Sequence, residues 1–159
     1  MLELPINLDE LAFVLHRGPD MHMECFLDCE TGEIIYIPTD TSALNAMFQS
    51  VFQPERLNVE ALARDITRKD TALKYIPDNF SQCVFELMNS FIDATYFPDY
   101  LQKKLVNAIK GNGGYAEFHS ILKTAPKYLK KFLHFRDEFF LCKAIEWLKE
   151  NNILIKSKN

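Results

Sequence analysis

Apolar residues recur at helical spacing over most of the chain, and two strand-like runs interrupt that pattern near its start. Residues 7–16 read as a short helix. Leu8, Leu11, Ala12 and Leu15 share one face, Asn7 stands where a cap belongs, and Glu10 follows three residues later. His16-Arg17-Gly18-Pro19 stops it. Residues 23–28 and 33–37 read as a β-hairpin around Glu30-Thr31-Gly32, a three-residue loop whose glycine suits a left-handed bulge position. Pro38 ends the second strand. Asp40 or Thr41 caps a helix running to about Phe52, and Pro54 opens another with Leu57, Leu62 and Ile66 inward. Leu73-Lys74-Tyr75-Ile76-Pro77 is a short candidate strand that can join the hairpin and blunt one of its edges.

The remainder is helical. Asn79 and Gln82 form a capping pair ahead of a stripe of Phe80, Val84, Leu87, Met88 and Phe91. Pro98 opens a helix that runs to Lys110 and stops at Gly111. Tyr115 to Lys123 makes a short helix, and Pro126 opens the last and longest, to about Glu150. The last helix carries one stripe of Phe132, Phe135, Phe139, Cys142, Ile145 and Leu148 and a neighbouring stripe of Leu129, Leu133, Phe140, Ala144 and Trp147. Together they cover more than half its circumference, so it is expected at the centre. The pattern predicts an α+β chain: one predominantly helical domain over 1–159, with an antiparallel hairpin at about 23–37, a third strand near 73–77 and a helical body over about 40–150.

Composition narrows the function classes. A chain of 159 residues that is 48% hydrophobic and 25% charged buries a full core without staples. No apolar run approaches the roughly 18 residues of a membrane span, and Met1-Leu2-Glu3-Leu4-Pro5 lacks the basic and apolar regions of a signal peptide. A cytoplasmic location and no membrane partner are the expectations. The four cysteines, Cys25, Cys29, Cys83 and Cys142, contain no C-x-x-C pair and read as buried free thiols. The net charge of −4 conceals an asymmetry: residues 1–100 carry 6 Lys and Arg against 17 Asp and Glu, and residues 101–159 carry 12 against 5. The two halves can neutralise each other, or the basic half can serve an acidic partner.

Residues 26–34, 109–119 and 132–138, with Tyr75-Ile76-Pro77, resemble signatures of a bacterial family, uncharacterised protein family 0158. Phe26-Leu27-Asp28-Cys29-Glu30-Thr31-Gly32-Glu33-Ile34 is similar to its "LD-x-E-T-G-E-V" hairpin. Its "I-K-G-x-G-A-F-R-R-F-K" corresponds to residues 109–119, and its "W-Y-x-F-R-D-E" to residues 132–138, followed by Ala144 and Trp147. Tyr75-Ile76-Pro77 and the segment 85–91 also resemble family motifs. The chain departs where the family has twin arginines, here Ala116 and Glu117, and where it has a helix arginine, here Glu86. The resemblance implies a fold and no particular chemistry.

Candidate chemistry is sparse. Gly111-Asn112-Gly113-Gly114 lies between two helices, where backbone N–H groups with Lys110, Asn112 and Gly113 can hold an anion; the alternative is a helix-ending glycine and a tight turn. Asp28, Glu30 and Glu33 cluster at the hairpin turn but lack the ligand number and glycine position of a calcium loop. His16, His22, His119 and His134 share no i, i+4 relation and no zinc-ligand spacing with a cysteine, and no G-x-S-x-G occurs, so neither a metal nor a cofactor is expected. Lys123, Lys127, Lys130 and Lys131 stand near Tyr128 and Phe132, a basic and aromatic mixture that can serve single-stranded nucleic acid or form a solvated face. Arg136 falls within an apolar stripe, so it is expected inward and paired; Asp28 and Glu33 are the candidate partners, since adjacent Asp137 does not face it on a helix.

No constellation here specifies a reaction. The expectation is a non-catalytic module that binds another protein. The alternative is weak nucleic-acid or anion binding through the basic C-terminal half. Oligomeric state and the identity of a partner are not encoded in any motif.

Overall fold

The computed structural model describes residues 1–18, 21–39 and 72–156. The helices expected over about 40–52 and from Pro54 lie outside the described residues. The fold is α+β and mostly helical. In chain order, its elements are β1 (Leu2–Leu4), α1 (Leu8–Leu15), β2 (Met23–Asp28), β3 (Ile34–Pro38), β4 (Leu73–Ile76), α2 (Phe80–Ala94), α3 (Asp99–Lys110), α4 (Gly114–Lys123), α5 (Pro126–Glu150) and β5 (Ile153–Ile155). They fall into two compact units. One comprises 1–78 with 144–159, and the other 79–143.

The first unit begins with a helix built as its pattern dictates. The Asn7 side chain accepts the Glu10 backbone N–H at 3.2 Å, satisfying one of the donors that every helix start leaves open. Leu11, Ala12, Val14 and Leu15 are buried. The three-stranded antiparallel sheet has the order β3-β2-β4, so the 73–76 strand does join the hairpin. In the central strand, Cys25 pairs with Tyr36 on one side and Ile76 on the other, while Phe26 pairs with Ile35 and Tyr75. Alternation then sends Cys25, Leu27 and Ile76 into the core, and Phe26 meets Tyr75 edge-on at 5.6 Å on the opposite face.

The hairpin turn is fixed by two residues. The Asp28 carboxylate accepts the backbone N–H groups of Glu30 at 2.8 Å and Thr31 at 3.3 Å. Gly32 has a φ of +80°, and a Cβ there would also stand 3.1 Å from Pro5. A side chain there is therefore strained by conformation and crowds Pro5.

One further pairing in this unit is announced by no local pattern. β1 and β5 pair in parallel, with Leu2 opposite Ile153 and Leu4 opposite Ile155. Three residues are too few to show alternation, and the partners are about 150 residues apart.

The second unit packs α2, α3, α4 and α5 as far as Lys143 around Phe91. The Phe91 ring meets those of Phe132 at 5.1 Å, Phe97 and Phe135 at 5.5 Å and Phe118 at 6.5 Å. Offset and edge-to-face pairs of this kind add to the burial of large apolar area. A Lys143–Glu86 ion pair at 3.2 Å ties α5 to α2 at the surface.

Local signals differ from expectation in three places. Asn79 makes no side-chain cap, because its φ and ψ of −97° and 10° are not the extended geometry that aims a capping side chain. Pro98 precedes the helix as its cap residue, and Asp99 is the first helical position. Along α5 the expected stripes do not stay inward: Phe132, Ala144, Trp147 and Leu148 are buried, whereas Cys142 and Ile145 are exposed. The last turns of α5 count with the first unit, so a single stripe does not describe what the helix buries.

Candidate functional site

The loop between α3 and α4 carries Lys110, Asn112 and Gly113, all exposed. Its glycines do allow a close approach, and the chain itself supplies the group that approaches. The Glu117 carboxylate folds back over Gly113, with Oε2 2.6 Å from where a Cβ would sit. A carboxylate at a helix start suits the positive end of the macrodipole. An external anion entering this loop meets that negative charge.

Arg136 holds an ion pair, but with the neighbour that simple helical geometry sets aside. Its Nε and one terminal nitrogen both donate to Asp137 Oδ1, at 3.2 and 3.1 Å. The side chain is about one-third exposed, and a guanidinium on three methylenes bends far enough over the surface to reach an adjacent carboxylate. The expectation of a fully inward arginine is corrected accordingly. Burial lowers the guanidinium pKa, but bonding to the Tyr115 side chain and to Asp137 outweighs this, and the net shift is upward. Tyr115 also lies 6.0 Å from the His119 ring. Partial burial, with Lys123 and Arg136 nearby, holds His119 below the ordinary imidazole range. The segments 109–119 and 132–138 therefore meet at Tyr115 and Arg136. Asp28, the other half of the expected pair, is occupied in the hairpin turn, and Glu33 is exposed beside it.

Arg17, which stands in a helix-stop segment, is deeply buried. The Arg17 side chain is 5% exposed. It donates to the carbonyls of Val14 at 2.8 Å, Met23 at 3.2 Å and Ile76 at 3.2 Å, and lies 3.8 Å from the Glu24 carboxylate. It borders a polar cleft of about 190 Å³ with Gly18, His22, Glu24, Tyr75 and Asp78. Within it, Gly18 N–H donates to Asp78 at 3.2 Å, and a hydrogen bond to Glu24 raises the Tyr75 pKa. Arg17 is committed to carbonyls of α1, β2 and β4, which suits a joint between these elements better than a reaction centre.

Lys127, Lys130 and Lys131 occupy the first turn and a half of α5, all exposed. The ammonium groups of Lys127 and Lys131 each lie 5.7 Å from the Tyr128 ring, which packs on Phe97 at 5.0 Å. Elsewhere on this unit three large aromatic side chains face solvent: Phe85 on α2, Tyr96 in the α2–α3 connection and Tyr100 on α3. Tyr96 is 98% exposed and Tyr100 66%.

Of the thiols, Cys25 is buried, Cys29 and Cys83 are half-buried and Cys142 is exposed, so the expectation of buried thiols fails at Cys142. Desolvation pushes the Cys25 and Cys29 pKa values up. Among the described residues no three His, Cys, Asp or Glu side chains converge on a point that could hold a metal ion. Nor, among them, is any helix long and apolar enough to cross a membrane.

Comparison with known proteins bears on the whole chain. The model of a family described as Uncharacterised protein family (UPF0158) matches residues 2–159. No curated protein and no solved structure matches.

Proposed function

The chain belongs to the Uncharacterised protein family (UPF0158), and from that premise we propose that it is a non-catalytic module, acting in the cytoplasm, that binds another protein. The observation that carries this reading is the pair Tyr96 and Tyr100. Both stand in solvent at the α2–α3 corner of a unit whose own aromatic core, around Phe91, is closed. Tyrosine is enriched at protein interfaces because its ring buries large area at little entropic cost while its hydroxyl stays hydrogen-bonded. The Arg17 guanidinium is already taken up by three backbone carbonyls, which also weighs against catalysis there.

The test is an affinity pull-down from an extract of the native host, comparing wild type with Tyr96→Ser/Tyr100→Ser. A specific partner retained by the wild type and lost by the double variant, with unchanged circular dichroism, supports the reading. Loss of a hot-spot aromatic of this kind costs about 2 kcal/mol, some 30-fold in Kd. Identical sets of captured proteins overturn it. The second reading is weak nucleic-acid or anion binding through the basic C-terminal half, where residues 101–159 carry 12 Lys and Arg against 5 Asp and Glu.

A further inference from the structure

Three features of the α5 start combine unfavourably in the free chain. Lys127, Lys130 and Lys131 lie at i, i+3 and i, i+4, where like charges on a helix repel. They crowd the positive end of the macrodipole of a 25-residue helix that has no acidic residue in its first turn. Finally, none of the three makes an ion pair with a described residue, whereas further along the same helix Arg136 pairs with Asp137 at 3.1 Å and Lys143 with Glu86 at 3.2 Å. Acidic neighbours are thus used elsewhere on α5 and withheld here. Surface electrostatics arranged against the stability of the free protein mark a place where function has set the charges.

The patch is also pre-organised. Lys127 and Lys131 converge on one ring, that of Tyr128, and the ring is itself held by Phe97. Two flexible side chains are thereby gathered on a fixed platform, which lowers the ordering entropy lost on binding. They sit one turn apart, about 6 Å along the axis. Alternate residues of an extended chain repeat at about 6.6 Å.

We propose that Lys127, Lys130 and Lys131 form a docking surface for an acidic segment of a partner protein. This rests on the protein-binding reading above and names the chemistry of one of its surfaces. Two observations favour a short acidic peptide over a nucleic acid. The patch contains lysines only, without the arginine forks that grip phosphate in two-point contacts. And Tyr128 is half-buried, engaged with Phe97 and with both ammonium groups, so it is a poor platform for stacking a base.

The experiment measures binding of two labelled probes to the full chain at low salt: a ten-residue glutamate peptide and a ten-nucleotide oligothymidylate. The expected result is peptide binding that weakens at least tenfold in Lys127→Glu/Lys130→Glu/Lys131→Glu, survives in the triple Lys→Arg variant, and falls as salt rises. The triple Glu variant is also expected to melt at a higher temperature than wild type, because it relieves the repulsion and matches the dipole. That gain shows that the loss of binding is not a loss of fold. Oligothymidylate binding tighter than the peptide overturns the proposal in favour of nucleic acid. Absence of peptide binding, or binding indifferent to the triple Glu variant, overturns it outright. Either failure leaves the Tyr96 and Tyr100 pull-down unaffected, so the two readings fall separately.

Discussion

Replacing Arg17 by alanine should destabilise the first unit more than any other charge deletion among the described residues. Its guanidinium donates to three carbonyls drawn from the end of α1, the start of β2 and the end of β4, and the side chain is 5% exposed. Truncation leaves those carbonyls to be solvated or unpaired, and it removes the cation 3.8 Å from Glu24, one of whose oxygens is buried without a hydrogen bond. Hydrogen bonds to a charged donor contribute about 1.5–3 kcal/mol each, and they are not additive when one group makes all three. Breaking a buried charged cluster by removing one member costs about 3–5 kcal/mol, and that is the magnitude expected here. Arg17→Lys should recover only part of it, because a single ammonium cannot reach three carbonyls that a planar fork spans. The single tryptophan, Trp147, is 8% exposed and belongs to the same unit, so its fluorescence during urea unfolding reports the right transition. With a slope of about 1.5 kcal/mol per molar, the midpoint should fall by about 2–3 M. A shift below about 0.3 M, the range of ordinary surface changes, would refute the reasoning and mean that water replaces the guanidinium at little cost.

Arg136→Ala should cost less than about 1 kcal/mol in the same assay, since its pair with exposed Asp137 is a surface interaction; a loss near that of Arg17→Ala would restore the deeply inward arginine. The Tyr36 phenol, 2.5 Å from Glu10, has its pKa raised by burial and by that carboxylate, so the contribution of the pair to stability is present below the ordinary tyrosine value of 10.0 and lost as pH rises above it. Urea midpoints across pH 8–11 should therefore fall more steeply for wild type than for Tyr36→Phe, and parallel curves would contradict the assignment.

The contrast between the two arginines shows what a sequence discloses and what it withholds. Helical periodicity placed Arg136 among apolar neighbours, and the inference of an inward charge followed. Periodicity fixes which side of a helix a Cα lies on, but a long side chain can carry its charge back to the surface, as this one does. Arg17 stood in a segment that reads only as a stop, His16-Arg17-Gly18-Pro19. Its partners are backbone carbonyls, one of them 59 residues away at Ile76, and backbone acceptors leave no mark in a sequence. Elements whose signals are local were legible: the Asn7 cap, the Glu30–Gly32 turn, and the helix opened by Pro126. The β1–β5 pair was not, because its evidence lies in two three-residue runs at opposite ends of the chain.

The same distinction governs the candidate surfaces. The lysine cluster was visible because charge repulsion along one helix is a local property: residues 127, 130 and 131 are neighbours whatever the rest of the chain does. What the structure adds is the absence of any described partner and the shared Tyr128 ring, which separate a solvated face from an arranged one. The tyrosine corner was invisible for a different reason. In Thr95-Tyr96-Phe97-Pro98 two adjacent aromatics are equally apolar, and composition cannot say which is buried. Thr95 leaves the helix with an extended ψ of 138°, so successive side chains turn to opposite sides. Phe97 then enters the core against Phe91 and Tyr128, and Tyr96 is left in solvent. The choice is set by the ring with a hydroxyl: burying Tyr96 in that aromatic cluster would strand a donor that Phe97 does not have.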